Sequence, residues 1–116
     1  MATEGTIQTH TYQAECERQG MASAIPSPKG QKSLMDIIYK EIKAGKPANM
    51  VAFMQVVEEM KEKGCDCAVL GCTELSLLKK EHGLGDFFID SLETLALAAI
   101  AACGKEQSMA IETAVL

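Results

Sequence analysis

The chain has 116 residues, 47% of them hydrophobic and 23% charged, with a formal net charge of -5. That apolar fraction with so modest a charge excludes an intrinsically disordered chain, and 16 acidic against 11 basic side chains argue against a surface that tracks phosphates. The longest apolar stretch, Leu95 to Cys103, falls well short of the ~18 residues a membrane span needs, and five unevenly spaced cysteines do not make a secreted disulfide framework.

No signal-peptide pattern precedes Glu4, so the mature chain is expected to begin at or near Met1. The expected setting is the cytoplasm. The length suits one domain, or one half of a two-domain protein.

The opening Ala2-Thr3-Glu4-Gly5-Thr6 reads like the end of a strand turning into a helix. Thr6 is the predicted cap of a helix from Ile7 to Gln19, with Gly20 just past its end. Met21 to Ile25 is predicted as a short strand stopped by Pro26, and Ser27-Pro28 as a helix entry. Leu34, Ile37, Ile38 and Ile42 recur at the spacing of one buried helical face. Gly45 and Pro47 separate that helix from a second, whose predicted core stripe is Met50, Phe53, Met54, Val57 and Met60. Methionines at that spacing read as core rather than as a cofactor site.

Cys65 to Leu70 is the clearest predicted strand, nearly all apolar and bounded by Gly64 and Gly71. A helix from Thr73 to about His82 follows, closed by Gly83, and then a buried strand at Phe87-Phe88-Ile89. Asp90-Ser91 caps a last helix with Leu92, Leu95, Ala96, Ala99 and Cys103 on its expected buried side. Residues 1–104 thus form one expected α/β domain, and 105–116 a tail to which the pattern assigns no element. Helices alternating with short apolar strands point to a three-layer open parallel sheet with helices on both faces.

In such sheets ligands sit beyond the carboxyl ends of the strands. Three segments fall there: Ala2 to Thr6, Gly71-Cys72-Thr73-Glu74, and Asp90-Ser91. Cys72 follows a buried strand and opens a helix, so free backbone N–H groups are expected to lower its thiol pKa and make the thiolate reactive. The alternative is a small buried residue, and position alone does not choose. Cys65 and Cys67 alternate with Asp66 and Ala68, so both thiols are expected on one sheet face. With Cys72 they suggest a metal set only weakly. Such sites usually need four ligands, and neither His10 nor His82 has a telling spacing, so core packing is expected and no metal. Cys16 and Cys103 are expected to be inert buried thiols, and the two histidines solvated helix-surface residues. A Cys72–His82 hydrolytic pair is disfavoured, because His82 lies at the far end of the same helix.

Ala68-Val69-Leu70-Gly71-Cys72-Thr73-Glu74-Leu75 closely resembles the second-cysteine motif of the aspartate/glutamate racemase family. Ala2-Thr3-Glu4-Gly5-Thr6 is similar to the turn that opens the second half of that family's fold. Ile37 to Gly45 is similar to a family helix ending, and Phe88-Ile89-Asp90-Ser91 to its closing strand and cap. The segments occur in family order over about residues 1–102.

The resemblance implies a cofactor-independent amino-acid racemase in which two cysteines flank the substrate α-carbon, one removing a proton while the other delivers one. It assigns Cys72 as one of these bases and Thr73, Glu74, Lys43 and Thr3 as substrate-binding residues. Lys43 would hold the distal carboxylate, although a cation at a helix C-terminus also accounts for it. Glu74, where a histidine follows Cys-Thr in the cell-wall glutamate racemases, favours the aspartate-type branch and an acidic amino acid as substrate.

The family fold has two similar halves, each contributing one cysteine. This chain resembles the second half only, its first strand cut short, and none of its other four cysteines has the context of the first. Racemisation by the isolated monomer is therefore not expected. Three expectations follow: a truncated racemase needing a complementary first half, a homodimer placing two Cys72 thiols face to face, or a non-catalytic binding module that keeps the carboxylate pocket. No nucleic-acid or membrane partner is expected.

Overall fold

The computed structural model describes residues 1–104, so the tail at 105–116 lies outside the described residues. The N-terminal helix is divided in two, α1 at Glu4–Gln8 and α2 at Thr11–Arg18. The cap is Thr3 rather than Thr6: the Thr3 hydroxyl accepts from the Thr6 N–H at 3.5 Å. Between the helices His10 adopts a left-handed φ of 56°. The run of threonines explains the break, because the Thr9 hydroxyl lies 3.0 Å from the Thr6 carbonyl and 3.0 Å from the Thr11 hydroxyl, partners that compete with helical bonds. The strand expected over Met21 to Ile25 does not form. Met21 and Ile25 are 57% and 45% exposed, and an apolar run without a pairing edge has nothing to complete its hydrogen bonds.

Helix α3, Pro28–Asp36, starts as expected, with the Ser27 hydroxyl accepting from the Gly30 N–H at 3.1 Å. It runs into a widened π turn at Ile37–Ile42, and the two together bury Leu34, Ile37 and Ile38. Helix α4, Met50–Glu62, is capped by the Asn49 side chain and buries Phe53, Val56, Val57 and Met60. Its expected methionine stripe is only partly internal: Met60 is buried, whereas Met54 is exposed and Met50 half-buried.

Strand β1 is shorter than expected, Ala68–Leu70, and pairs in parallel with β2, Phe88–Asp90. The register sets Ala68 against Phe88 and Leu70 against Asp90. Cys65 and Cys67 precede the paired stretch, so they do not share a sheet face; Cys65 is half-buried and Cys67 exposed, not core. The other edge of β1 is taken by the opening residues. The Met1 amine donates to the Val69 carbonyl at 2.9 Å, and the Gly71 N–H donates to the Met1 carbonyl at 2.8 Å.

Helix α5, Thr73–His82, connects β1 to β2 and is closed by Gly83 at a φ of 57°, which a residue with a Cβ adopts only with strain. Helix α6, Ser91–Cys103, is capped by Asp90, whose carboxylate accepts from the Leu92 N–H at 3.0 Å. The expected buried side of α6 is not found. Leu95 is 69% exposed and Leu92 and Cys103 are also exposed, because α6 meets α5 and β2 along one side and no described element lies over the other. The class is α/β: a two-stranded parallel sheet with helices. None of the described helices is long and apolar enough to cross a membrane.

One core joins these elements: Leu34, Ile37 and Ile38, then Phe53, Val56 and Val57, then Ala68, Leu70, Leu75, Leu78 and Phe88. Phe53 is fully buried with its ring 5.8 Å from that of Phe88, which in turn meets Phe87 edge-on at 5.2 Å. Opposite this seam, Glu59 ties the 25–27 segment to α4. Its carboxylate accepts from the Ser27 N–H at 2.7 Å and the Ser27 hydroxyl at 3.0 Å, and meets Lys63 at 3.3 Å.

Phe53→Ala should cost about 3–5 kcal/mol in denaturant unfolding, against less than about 0.5 kcal/mol for exposed Val51→Ala. A second expectation concerns acid. The Ser27 N–H, helped by the Ser27 hydroxyl and Lys63 and opposed by burial, holds the Glu59 carboxyl below its ordinary range. A depressed native pKa stabilises fully above the unfolded value of about 4.3, and that contribution is lost as pH falls through the lower native value. Glu59→Gln should therefore lower stability at neutral pH and reduce its dependence on pH in the acid range, measured by thermal melts at several pH values.

Candidate active site at the carboxyl end of the sheet

Cys72 leaves the end of β1 in extended backbone, φ -145° and ψ 157°, as the residue capping α5. The chain can pass here because residue 71 is glycine. A Cβ on Gly71 would lie 3.0 Å from the Ala2 Cβ and 3.0 Å from Tyr12 Cε2, so a side chain would push the opening segment away from β1.

The Cys72 thiol is half-buried beside the core. Burial pushes its pKa up, and the Glu74 carboxylate adds to the rise; the N–H groups of Leu75 and Glu74 and the Met1 ammonium pull it down without prevailing. The expected lowering is therefore reversed. The N-terminal turn of α5 does favour the thiolate, but desolvation and a neighbouring negative charge outweigh it. The resting side chain is a protonated thiol, suited to deliver a proton and needing to lose one before it can accept.

Around it the structure gathers three of the four expected binding residues. The Thr73 hydroxyl donates to Glu74 Oε2 at 3.0 Å, and Lys43 Nζ lies 3.6 Å from Glu74 Oε1. Burial raises the Glu74 pKa, yet its own N–H, the Thr73 hydroxyl and Lys43 more than offset this and keep it ionised below the ordinary range. Lys43 comes from the end of the π turn, so two distant stretches meet at this edge. Thr3 is not joined to that group. It ends the neighbouring segment, and its hydroxyl is engaged by the Thr6 N–H and, at 3.1 Å, the Thr6 hydroxyl.

A second polar link, missed by sequence reasoning, braces the same edge. The Ser76 hydroxyl lies 2.6 Å from Asp90 Oδ1 and 3.2 Å from the Cys72 carbonyl, while the Ser91 hydroxyl donates to the Leu70 carbonyl at 2.7 Å. These contacts tie the ends of β1 and β2 to the starts of α5 and α6. The available signal was Ser76 itself, a polar residue on the helical face that also carries Leu75 and buries with it.

Among the described residues no group of three or more His, Cys, Asp or Glu is arranged to hold a metal ion. His10 and His82 are both exposed, and Cys16 is half-buried rather than buried. Surface grooves of about 640 and 280 Å3 lie along α4, lined by residues such as Val51, Met54, Ser27 and Glu59, and neither is lined by Cys72, Glu74 or Lys43.

Alkylation by iodoacetamide, followed at Cys72 in digests, should show its midpoint at higher pH in the folded chain than in the same chain unfolded in urea. Glu74→Gln should move the Cys72 midpoint down, since it removes the negative charge that opposes the thiolate. A Cys72 midpoint no higher in the folded chain than in the unfolded one would contradict the dominance of burial.

A family model described as Asp/Glu/Hydantoin racemase matches residues 1–99, which include β1, the Gly71–Glu74 edge, Lys43 and most of α6. A match over that much of the 116 residues establishes that this chain belongs to the Asp/Glu/hydantoin racemase family.

Proposed function

We propose that the chain carries one half of a cofactor-independent racemase site for an acidic amino acid, with Cys72 as one of its two proton-transfer groups. The observation that carries this reading is the convergence of Cys72, Thr73, Glu74 and Lys43 at the carboxyl end of β1 in a chain of this family. The α-hydrogen of an amino acid is a very weak acid, so its removal needs a placed base and donors for the developing negative charge. A thiolate on the opposite face takes the α-proton and becomes a thiol. The Cys72 thiol then gives its proton to the carbanion from its own face and becomes a thiolate, which completes inversion with no net change in protons; the reverse direction starts from the Cys72 thiolate. The N–H groups that open α5 and the Thr73 hydroxyl serve the α-carboxylate and Lys43 the distal one, while Thr3 would contribute from the neighbouring segment only by giving up its hydroxyl contacts with Thr6.

The second thiol comes from a partner. A complementary half, or a second copy presenting its own Cys72, would face this edge, each half carrying its own sheet. Exposed Ile89 and the side of α6 that no described element covers, with Leu92 and Leu95 on it, support an assembly larger than the described residues. A cytoplasmic setting fits a small-molecule substrate.

The test is α-proton exchange in deuterated water with L- and D-aspartate, L- and D-glutamate, and a 5-substituted hydantoin. Deuterium should enter aspartate or glutamate and be reduced at least about 100-fold in Cys72→Ala, as expected when a general acid–base group is lost. Inversion that grows with protein concentration would identify a second copy as the source of the opposing thiol. Exchange into the hydantoin alone would overturn the acidic substrate. Absence of any exchange at high concentration, with a first-half domain supplied or not, would leave only a non-catalytic binding role.

A further inference from the structure

The helix that delivers Lys43 does not reach Glu74 as a regular α-helix. Over Ile37–Ile42 the turn is widened, and the Lys43 N–H donates to the Ile38 carbonyl, five residues back, at 3.0 Å. One extra residue in a helical turn rotates everything after it by about 100°. Lys43 therefore takes the direction that Ile42 would have in an unbroken α-helix, and a charge replaces an apolar side chain at the edge that holds Glu74.

A widened turn aims the Lys43 backbone, but a four-carbon side chain needs a further restraint. Tyr39 supplies one. The Lys43 ammonium sits 4.3 Å from the centre of the Tyr39 ring, within the range of a cation–π contact, while lying 3.6 Å from Glu74 Oε1. Tyr39 is 48% exposed and contributes nothing to the core, so its ring is available for this contact.

We propose that Tyr39, on the π turn, is a positioning residue that holds the Lys43 ammonium against Glu74 beside Cys72. It acts through Lys43 and touches no reacting atom. The inference rests on the reading of Cys72, Thr73, Glu74 and Lys43 as one site, and it does not require that the isolated chain racemises anything. The groups that face this arrangement are Lys43 from the end of the π turn, and Thr73, Glu74 and the first N–H groups of α5. The Met1 amino group, its own pKa lowered by burial, acts on Cys72 from the opening segment.

The test uses the full chain with Tyr39→Leu, Tyr39→Phe and Lys43→Met, and reads two quantities that a merely structural role would not move. The first is the Glu74 titration midpoint by carboxyl carbon NMR. The second is the rate of Cys72 alkylation at fixed pH. Lys43→Met removes the cation that favours ionised Glu74, so the Glu74 midpoint should rise. Tyr39→Leu should shift it in the same direction by a smaller amount, and Tyr39→Phe, which keeps the ring face, should restore the parent value.

The alkylation rate of Cys72 should fall in Lys43→Met and by about twofold in Tyr39→Leu, because a less well held ammonium leaves more of the Glu74 charge acting on the thiol. A parent-like Glu74 midpoint in Tyr39→Leu alongside a shifted one in Lys43→Met would overturn the role of Tyr39. The same follows if Tyr39→Phe behaves like Tyr39→Leu, or if Lys43→Met leaves the midpoint unchanged. Loss of proton exchange with these shifts intact would count against the racemase reading and not against Tyr39.

Discussion

Everything at the carboxyl end of the sheet depends on how closely the opening segment approaches β1 at Gly71. A side chain there would crowd the contact, since a Cβ would lie 3.0 Å from the Ala2 Cβ and from Tyr12 Cε2, closer than an ordinary contact. That approach permits the two hydrogen bonds between Met1 and β1, and with β2 on its other edge β1 is held from both sides. A strand of only three residues is weak on its own; flanked in this way, its end points in a fixed direction. Cys72 is the first residue beyond Gly71, so its placement follows directly from this close contact.

The environment of Cys72 shows two physical effects in competition. A helix N-terminus favours the thiolate, and two N–H groups of α5 do so here. The same location is partly desolvated and lies beside Glu74, and these prevail. Proton transfer at an α-carbon needs one thiolate and one thiol at the same time. A cysteine biased toward the thiol is consistent with one member of such a pair, and the bias arises from burial rather than from a change in residue type. Lys43 has a related part: by neutralising Glu74 it limits how strongly that carboxylate opposes the thiolate.

The fold around this edge is stabilised in layers of unequal depth. The seam from Leu34, Ile37 and Ile38 through Phe53 and Val57 to Leu70, Leu75 and Phe88 is fully enclosed. Helix α6, by contrast, is anchored at its start by Asp90 and Ser91 and then presents Leu92 and Leu95 outward. The polar bridge of Ser76 and Asp90 joins the two regions, so the strand ends that carry the site are braced by hydrogen bonds where apolar packing runs out.

The amino-acid sequence alone determined much of this. The Ser27-Pro28 entry, the cap at Asp90, the helix from Thr73 to His82 and the stop at Gly83 are local effects of a hydroxyl, a carboxylate and a left-handed glycine, and they appear where expected. The Gly71-Cys72-Thr73-Glu74 segment was equally legible, because its residue types sit next to one another in the chain. What tertiary structure decided is everything that depends on a partner distant in sequence. Among the described residues Met21 to Ile25 has no edge to pair with, Cys65 and Cys67 precede the paired residues, and no element lies over the apolar side of α6. The raised Cys72 thiol and the meeting of Lys43 with Glu74 belong to the same class: burial and charge proximity are sums over the surrounding structure, and no local pattern of residues contains them.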